Sequence, residues 1–304
     1  MGFDIISMLA MTLRMATPIT LGSLGGMFSE RSGVVNIAIE GMMLSAAFTG
    51  FAVAAFTQNL LIGLITACLT GAAMALLHAV LSIRFKTDQI ISGTVINILA
   101  IGFTGYLDHK FFSQNPPPGP GTLPDLPIPL LADVPVVGQI LFHHQPLVYT
   151  SVILVVVAHF VLFYTAWGLR TRAVGEHPRA ADTLGVNVFL VRYVNVLISG
   201  VLAGLGGAFL SLEAVGHFEV LMTSGRGFIA LAALIFGKWT PFGAFGAALL
   251  FGGADALQLK IQGAGADVPY QLLSMLPYVV TMIALAGVIG RSVAPAAIGQ
   301  PYEK

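Results

Sequence analysis

Residues 41–83 read GMMLSAAFTGFAVAAFTQNLLIGLITACLTGAAMALLHAVLSI, without one Asp, Glu, Lys or Arg. A bilayer core takes about 20 apolar residues per helix, and this run holds twice that. Gln58 and Asn59 interrupt it near the middle. The run therefore predicts two membrane helices joined by a tight turn. A charge at mid-bilayer costs about 2.5–3.5 kcal/mol even on the lenient insertion scale, so further spans are read as gaps between charges. Those gaps are 89–107, 147–168, 193–212 and 270–290. Three pieces are less clean: 11–27 carries Arg14, 227–237 is short, and only a brief polar break separates it from 242–259. The expectation is an all-α bundle of about nine spans, with residues 1–304 forming one transmembrane unit.

Composition agrees. The 304 residues are 56% hydrophobic and 9% charged, whereas soluble domains carry about 25% charge. Net charge is zero, which excludes a basic field for nucleic acid. Cys68 is the single cysteine, so no internal disulfide and no cysteine-rich metal site can form. Thirty-five glycines suit close helix packing in lipid, and Gly22-x-x-x-Gly26 and Gly200-x-x-x-Gly204 are contact motifs of that kind. Residues 227–258 faintly echo the helix, break and Gly/Ala-rich helix that begin at Gly41, as duplicated transporter halves do.

Lys and Arg near span ends set orientation. Arg84, Lys86, Arg170, Arg172, Arg179, Arg192, Lys238 and Arg291 fall on one side, and Lys110, Arg226 and Lys260 on the other. The first side is then cytoplasmic, with the C-terminus inside and the N-terminus outside. Residues 1–10 lack the pattern of a removable signal peptide. Residues 109–146, with seven prolines between 116 and 129 alone, are expected as an extended external loop, a stiff connector or a docking ledge.

Catalytic signatures are missing. There is no phosphate-binding loop, H-E-x-x-H or G-x-S-x-G, and no cluster of acids or histidines at one depth is evident. Adjacent His143 and His144 lack companion ligands, and His78 and His159 read as packed neutral imidazoles. Residues 30–41, ERSGVVNIAIEG, place Glu30, Arg31, Asn36 and Glu40 between apolar stretches. This predicts a short broken or re-entrant segment near 30–40. If helical, Asn36 and Glu40 share a face and line or brace a pathway; otherwise the segment is an interfacial turn with Glu30 and Arg31 paired. Gln89, Asn97, Asn195 and Ser199 are candidates for uncharged groups along the same pathway, or for interhelical bonds.

Residues 169–191 are polar, basic and cytoplasmic in this scheme. Pro178 suits the first position of a helix and Gly185 the position after its end. A helix that short needs a partner surface, and Ala180 with Ala181 permits close approach. The bland alternative is an ordinary basic loop.

ERSGVVNIAIEGMM, LRTRAVGEHPRAADTLGVNV and GRGFIALAALIFGKWTPFGAFGAALLFGGADALQ occur in that order. Together they resemble a bacterial ABC-importer permease of the simple-sugar and nucleoside branch, related to branched-chain amino-acid permeases. The resemblance covers about residues 12–290. It implies ATP-driven uptake across the bacterial inner membrane, with a separate ATPase, a second permease subunit and an external solute-binding lipoprotein. It also implies no cofactor on this chain, ATP and Mg²⁺ belonging to the ATPase. Gly175, Glu176, Arg179, Ala180, Ala181 and Gly185 match a coupling segment that docks into the ATPase, with Arg179 where Glu is commoner. Branched-chain amino-acid import remains open, as does a stand-alone transporter using Glu40 as proton carrier.

Overall fold

A computed structural model of the chain describes residues 5–113, 117–263, 272, 275, 279, 282, 283 and 292–304. The helices are α1 (Ile5–Arg31), α2 (Ile39–Thr57), α3 (Leu60–Ala79), α4 (Gln89–Phe112), α5 (Val137–Leu141), α6 (Pro146–Tyr164), α7 (Ala166–Glu176), α8 (Pro178–Thr183), α9 (Val188–Ala208), α10 (Arg226–Phe236) and α11 (Pro241–Gly263). Helices α3 and α9 continue as π-helical turns, Val80–Arg84 and Phe209–Val215. No strand occurs among the described residues.

Seven helices are long and apolar enough to cross a bilayer. They match seven of the nine expected spans, α1 being longer at both ends than the charge gaps suggested. The eighth, α10, has 11 residues and rises only about 16 Å, half the apolar thickness of a bilayer. The ninth expected span, 270–290, lies outside the described residues as a continuous element. The turn at Gln58-Asn59 is as read: Gln58 is left-handed, and Asn59 Oδ1 accepts from the N–H groups of Leu61 and Ile62.

The centre of the bundle is α1, α2, α3 and α9, with α11 and α10 against α1 and α4 against α2. Glycine permits these approaches. A Cβ on Gly204 would stand 2.6 Å from Ala67 O of α3, and one on Gly22 2.8 Å from the Ala230 Cβ of α10. Both glycine motifs thus lie at helix contacts. Exposed Leu61, Ile65 and Leu69 on α3, with Ile91, Val95 and Ile98 on α4, form the apolar outer faces a lipid-embedded bundle requires.

The proline-rich loop is more ordered than an extended connector. It contains α5, and Leu123 N donates to Leu212 O at 2.9 Å, pinning the loop to the π-helical end of α9. His144 belongs to this cap: its N–H donates to Tyr149 Oη and its ring contacts Ile140 O at 2.8 Å. Desolvation holds its imidazole below the usual range.

Candidate functional site

Backbone that leaves helical geometry within a membrane bundle needs hydrogen-bond partners from elsewhere in the chain. Residues 32–38 obtain them from α3 and α4, while α9 holds the Asn36 side chain. Gln89 Oε1, at the start of α4, accepts from Val35 N at 2.7 Å. His78 Nε2 on α3 lies 2.9 Å from Val35 O. Asn97 closes the far side: its Oδ1 accepts from Gly41 N at 2.8 Å and its Nδ2 donates to Ile37 O at 3.0 Å. Asn36 Nδ2 donates to Ser199 Oγ on α9 at 2.8 Å.

Asn36 and Glu40 do not share a helical face. Asn36 sits in the non-helical break and α2 begins only at Ile39, so Asn36 turns toward α9 while Glu40 turns toward α10. Glu40 Oε1 accepts from Gly225 N at 2.9 Å, and its Oε2 from Gly227 N at 2.6 Å. Those groups form the positive end of α10, where a carboxylate is favourable. A Cβ on Gly227 would stand 2.6 Å from Glu40 Cα, so only glycine admits this contact. Glu40 and Gly227 are both buried.

Glu30 and Arg31 do not pair either. Both bind Trp239: Glu30 Oε2 accepts from its indole N–H at 2.6 Å, while Arg31 Nε and Nη2 donate to its carbonyl at 3.0 and 2.8 Å. The turn between α10 and α11 is left-handed at Lys238 and Trp239, which aims both groups at the end of α1. Asn195 stands apart from the break, donating to Thr171 Oγ1 at 3.1 Å and Val191 O at 2.8 Å, and so fastens α9 to α7.

Helix α8 starts at Pro178 and ends before Gly185, whose φ is +82°. Its two alanines part company. Ala181 is buried against Val174, Val188, Val191 and Tyr302, whereas Ala180, Thr183 and Leu184 are exposed. The expected two-alanine outward face is therefore one alanine, because Ala181 fills the chain's own interior. Gly175 also faces inward; its carbonyl accepts from Ala297 N at 2.9 Å, and Glu176 Oε2 accepts from Ala296 N at 3.2 Å. Arg179 and Gly185 are exposed. The C-terminal tail continues over this end, with Gly299 N donating to Gly33 O at 3.1 Å and Arg192 Nη1 to Gln300 O at 2.9 Å. Lys86 Nζ donates to Glu303 Oε1 at 2.6 Å and holds that carboxyl below its usual range. A groove of about 830 Å³ remains between α8 and the tail.

Comparison with known proteins fits this architecture. Residues 8–285 match the family described as branched-chain amino acid transport system, permease component. The guanosine ABC transporter permease protein NupQ of Bacillus subtilis is 43% identical, over 99% of both chains. This chain is an ABC transporter permease of that family. The nucleoside ABC transporter permease protein NupC of Lactococcus lactis is 40% identical, over 95% of this permease and 94% of that one. A solved chain from a metal-chelate type ABC transporter, facing inward, superposes with a TM-score of 0.52. That match has 16% identity and covers 92% of this permease and 85% of that chain, so it bears on the fold alone.

The permease also carries a buried carboxyl group that charge-gap reading missed. Glu213 is fully buried one residue beyond the expected sixth span, and its Oε2 accepts from Leu147 N at the start of α6 at 2.8 Å. Arg14 Nη2 donates to the Glu213 carbonyl at 3.3 Å. The signal in the sequence was the helix length, since α9 with its π-helical end runs from Val188 to Val215. No group of three metal-ligating side chains occurs among the described residues.

Proposed function

We propose that the whole chain acts as one permease domain of a bacterial inner-membrane importer for nucleosides, with the N-terminus outside and the C-terminus cytoplasmic. The observation that carries the solute class is the full-length similarity, 43% and 40%, to permeases named for guanosine and nucleosides. The glucose reading has the support of the permease protein TsgC13 of Haloferax volcanii, described as belonging to a glucose ABC transporter, at 35% identity over 96% of each chain.

Amino-acid import, the reading in the family's description, finds less support in the bundle. A solute carboxylate is well held by a half-helix N-terminus, and here Glu40 already occupies that position. An uncharged solute has no such competitor.

In this reading ATP and Mg²⁺ bind a separate ATPase, which docks on the exposed residues Arg179, Ala180 and Gly185 at the α8 end. Glu176 and the inward-facing Gly175 and Ala181 shape that surface from behind. Lys86, Arg192 and Lys238 lie at the same end, as cytoplasmic Lys and Arg should. The break at 32–38, with Asn36, Glu40, Gln89 and Asn97, shapes the inner part of the pathway, and Asn195 steadies α9 against α7. A second permease subunit and an external solute-binding lipoprotein complete the complex. The test is ATP-dependent accumulation of labelled guanosine by the assembled complex in proteoliposomes. Accumulation of leucine with none of guanosine would overturn the reading.

A further inference from the structure

At the end of the bundle away from α8, a cavity of about 520 Å³ opens between α1, the π-helical end of α9, residues 216–225 and the start of α10. Binding pockets for small molecules run from about 300 to 1,000 Å³ and combine apolar walls with a few convergent polar groups. This cavity has that make-up. Met15, Pro18, Phe209 and Met222 supply apolar wall, while Arg14, His217, Glu219 and Arg226 supply donors and an acceptor.

Two features point to a ligand rather than to incidental space, and a third bears on its charge. Leu221 and Ser224 both line the cavity and both take left-handed backbone, at φ 64° and 47°. Such conformations cost about 1–3 kcal/mol each and collect at ligand clamps. Second, Arg14 Nε is buried and has no hydrogen-bond partner among the described residues. Third, the adjoining N–H groups of α10 are spoken for by Glu40, so the cavity offers no free helix terminus to an anion.

We propose that this cavity is the permease's solute chamber and takes an uncharged purine nucleoside. The proposal rests on the nucleoside reading above and adds the site and the base. A guanine presents two adjacent acceptors, O6 and N7, which guanidinium groups match, and two adjacent donors, the N1 ring N–H and the exocyclic amino group, from which a carboxylate accepts. Arg14 and Arg226 offer the first chemistry, and Glu219 the second. Arg226 is anchored by Nη1 to Met222 O at 3.3 Å, and Asp255 of α11 lies within its electrostatic reach. Glu213, beside Arg14, and Asp255, beside Arg226, thus offset the two guanidinium charges. Met15 and Met222, both partly exposed on the cavity wall, give the flat base an apolar surface.

The single native cysteine makes a direct test available. Ser224→Cys and, separately, Val220→Cys, two positions on the cavity wall, are placed in a Cys68→Ala chain within the assembled transporter, and alkylation by N-ethylmaleimide is timed. Guanosine at about ten times its half-saturating concentration should slow alkylation at both positions about tenfold, with leucine and glucose inert. If wild-type membranes import guanosine yet guanosine protects neither cysteine, the chamber is elsewhere and the proposal fails. If wild-type membranes import leucine and not guanosine, the nucleoside reading itself fails. Protection by leucine in that case would overturn the uncharged-solute chamber as well.

Discussion

Glu40 and Gly227 lie 187 positions apart in the chain and meet at 2.6 Å, carboxylate to backbone N–H, with no space for a side chain on the glycine. One carboxylate satisfies two amides that a bilayer interior would leave unpaired.

That relationship sets an order among variants. Glu40→Gln keeps one oxygen for the α10 amides, whereas Glu40→Leu leaves both without an acceptor. An unsatisfied buried amide costs about 1–3 kcal/mol, so the leucine variant should lose about twice what the glutamine variant loses. Thermal unfolding of the purified permease reads the stability, and guanosine uptake at matched permease levels reads the function. Equal melting and full uptake in Glu40→Leu would remove Glu40 from both roles.

The Trp239 anchor should show the same asymmetry. Trp239→Phe keeps the backbone carbonyl that Arg31 binds but strips Glu30 of its indole donor. Burying that carboxylate unpartnered should cost about 1–3 kcal/mol, whereas the double variant Trp239→Phe with Glu30→Leu should recover part of it. A double-mutant cycle in the melting temperature measures the coupling, and a value of zero would mean the contact is incidental.

Helix contact through glycine predicts a steep steric cost. Gly204→Leu would drive a side chain into the α3 backbone at Ala67. A loss of about 1–3 kcal/mol or more is expected, read as a drop in folded yield from membranes. Gly102→Leu, on α4 with open space around its Cα, should be silent in the same assay.

The two alanines of α8 separate docking from folding. Ala180→Arg places charge on an exposed position and should leave insertion and melting unchanged while abolishing ATPase co-purification and uptake. Ala181→Arg pushes a guanidinium among Val174, Val188 and Tyr302 and should lower stability before docking is tested. Full uptake by Ala180→Arg would reduce the segment to an ordinary basic loop.

Much of the bundle was legible because charge and length act locally. The absence of charge over 41–83 marked α2 and α3, Gln58-Asn59 marked their turn, and Pro178 with Gly185 bounded α8. Where the answer depended on partners far along the chain, local reading went astray. Glu30 and Arg31 look like a pair as neighbours, and only the folded turn at Trp239 draws both away. Asn36 and Glu40 are four apart, yet the bonds from Gln89, His78 and Asn97 hold the chain open between them. Glu213 was hidden because its partner Leu147 begins another helix 66 positions earlier. The inward placement of Ala181 depends on Tyr302, which no spacing argument connects to it.

The reach of the Glu40 contact also bears on how the protein comes to be made. Residue 40 leaves the ribosome 187 residues before its partner, a delay of about 10–40 s at ordinary synthesis rates. Throughout that interval the carboxylate has no α10 to cap, and an unpaired charge in hydrocarbon is costly. The first helices therefore have to wait at the insertion machinery, or in a hydrated arrangement, until the last quarter of the chain arrives. Truncated nascent chains ending before residue 225 should then remain extractable, and chains extended past residue 241 should lock into the bilayer.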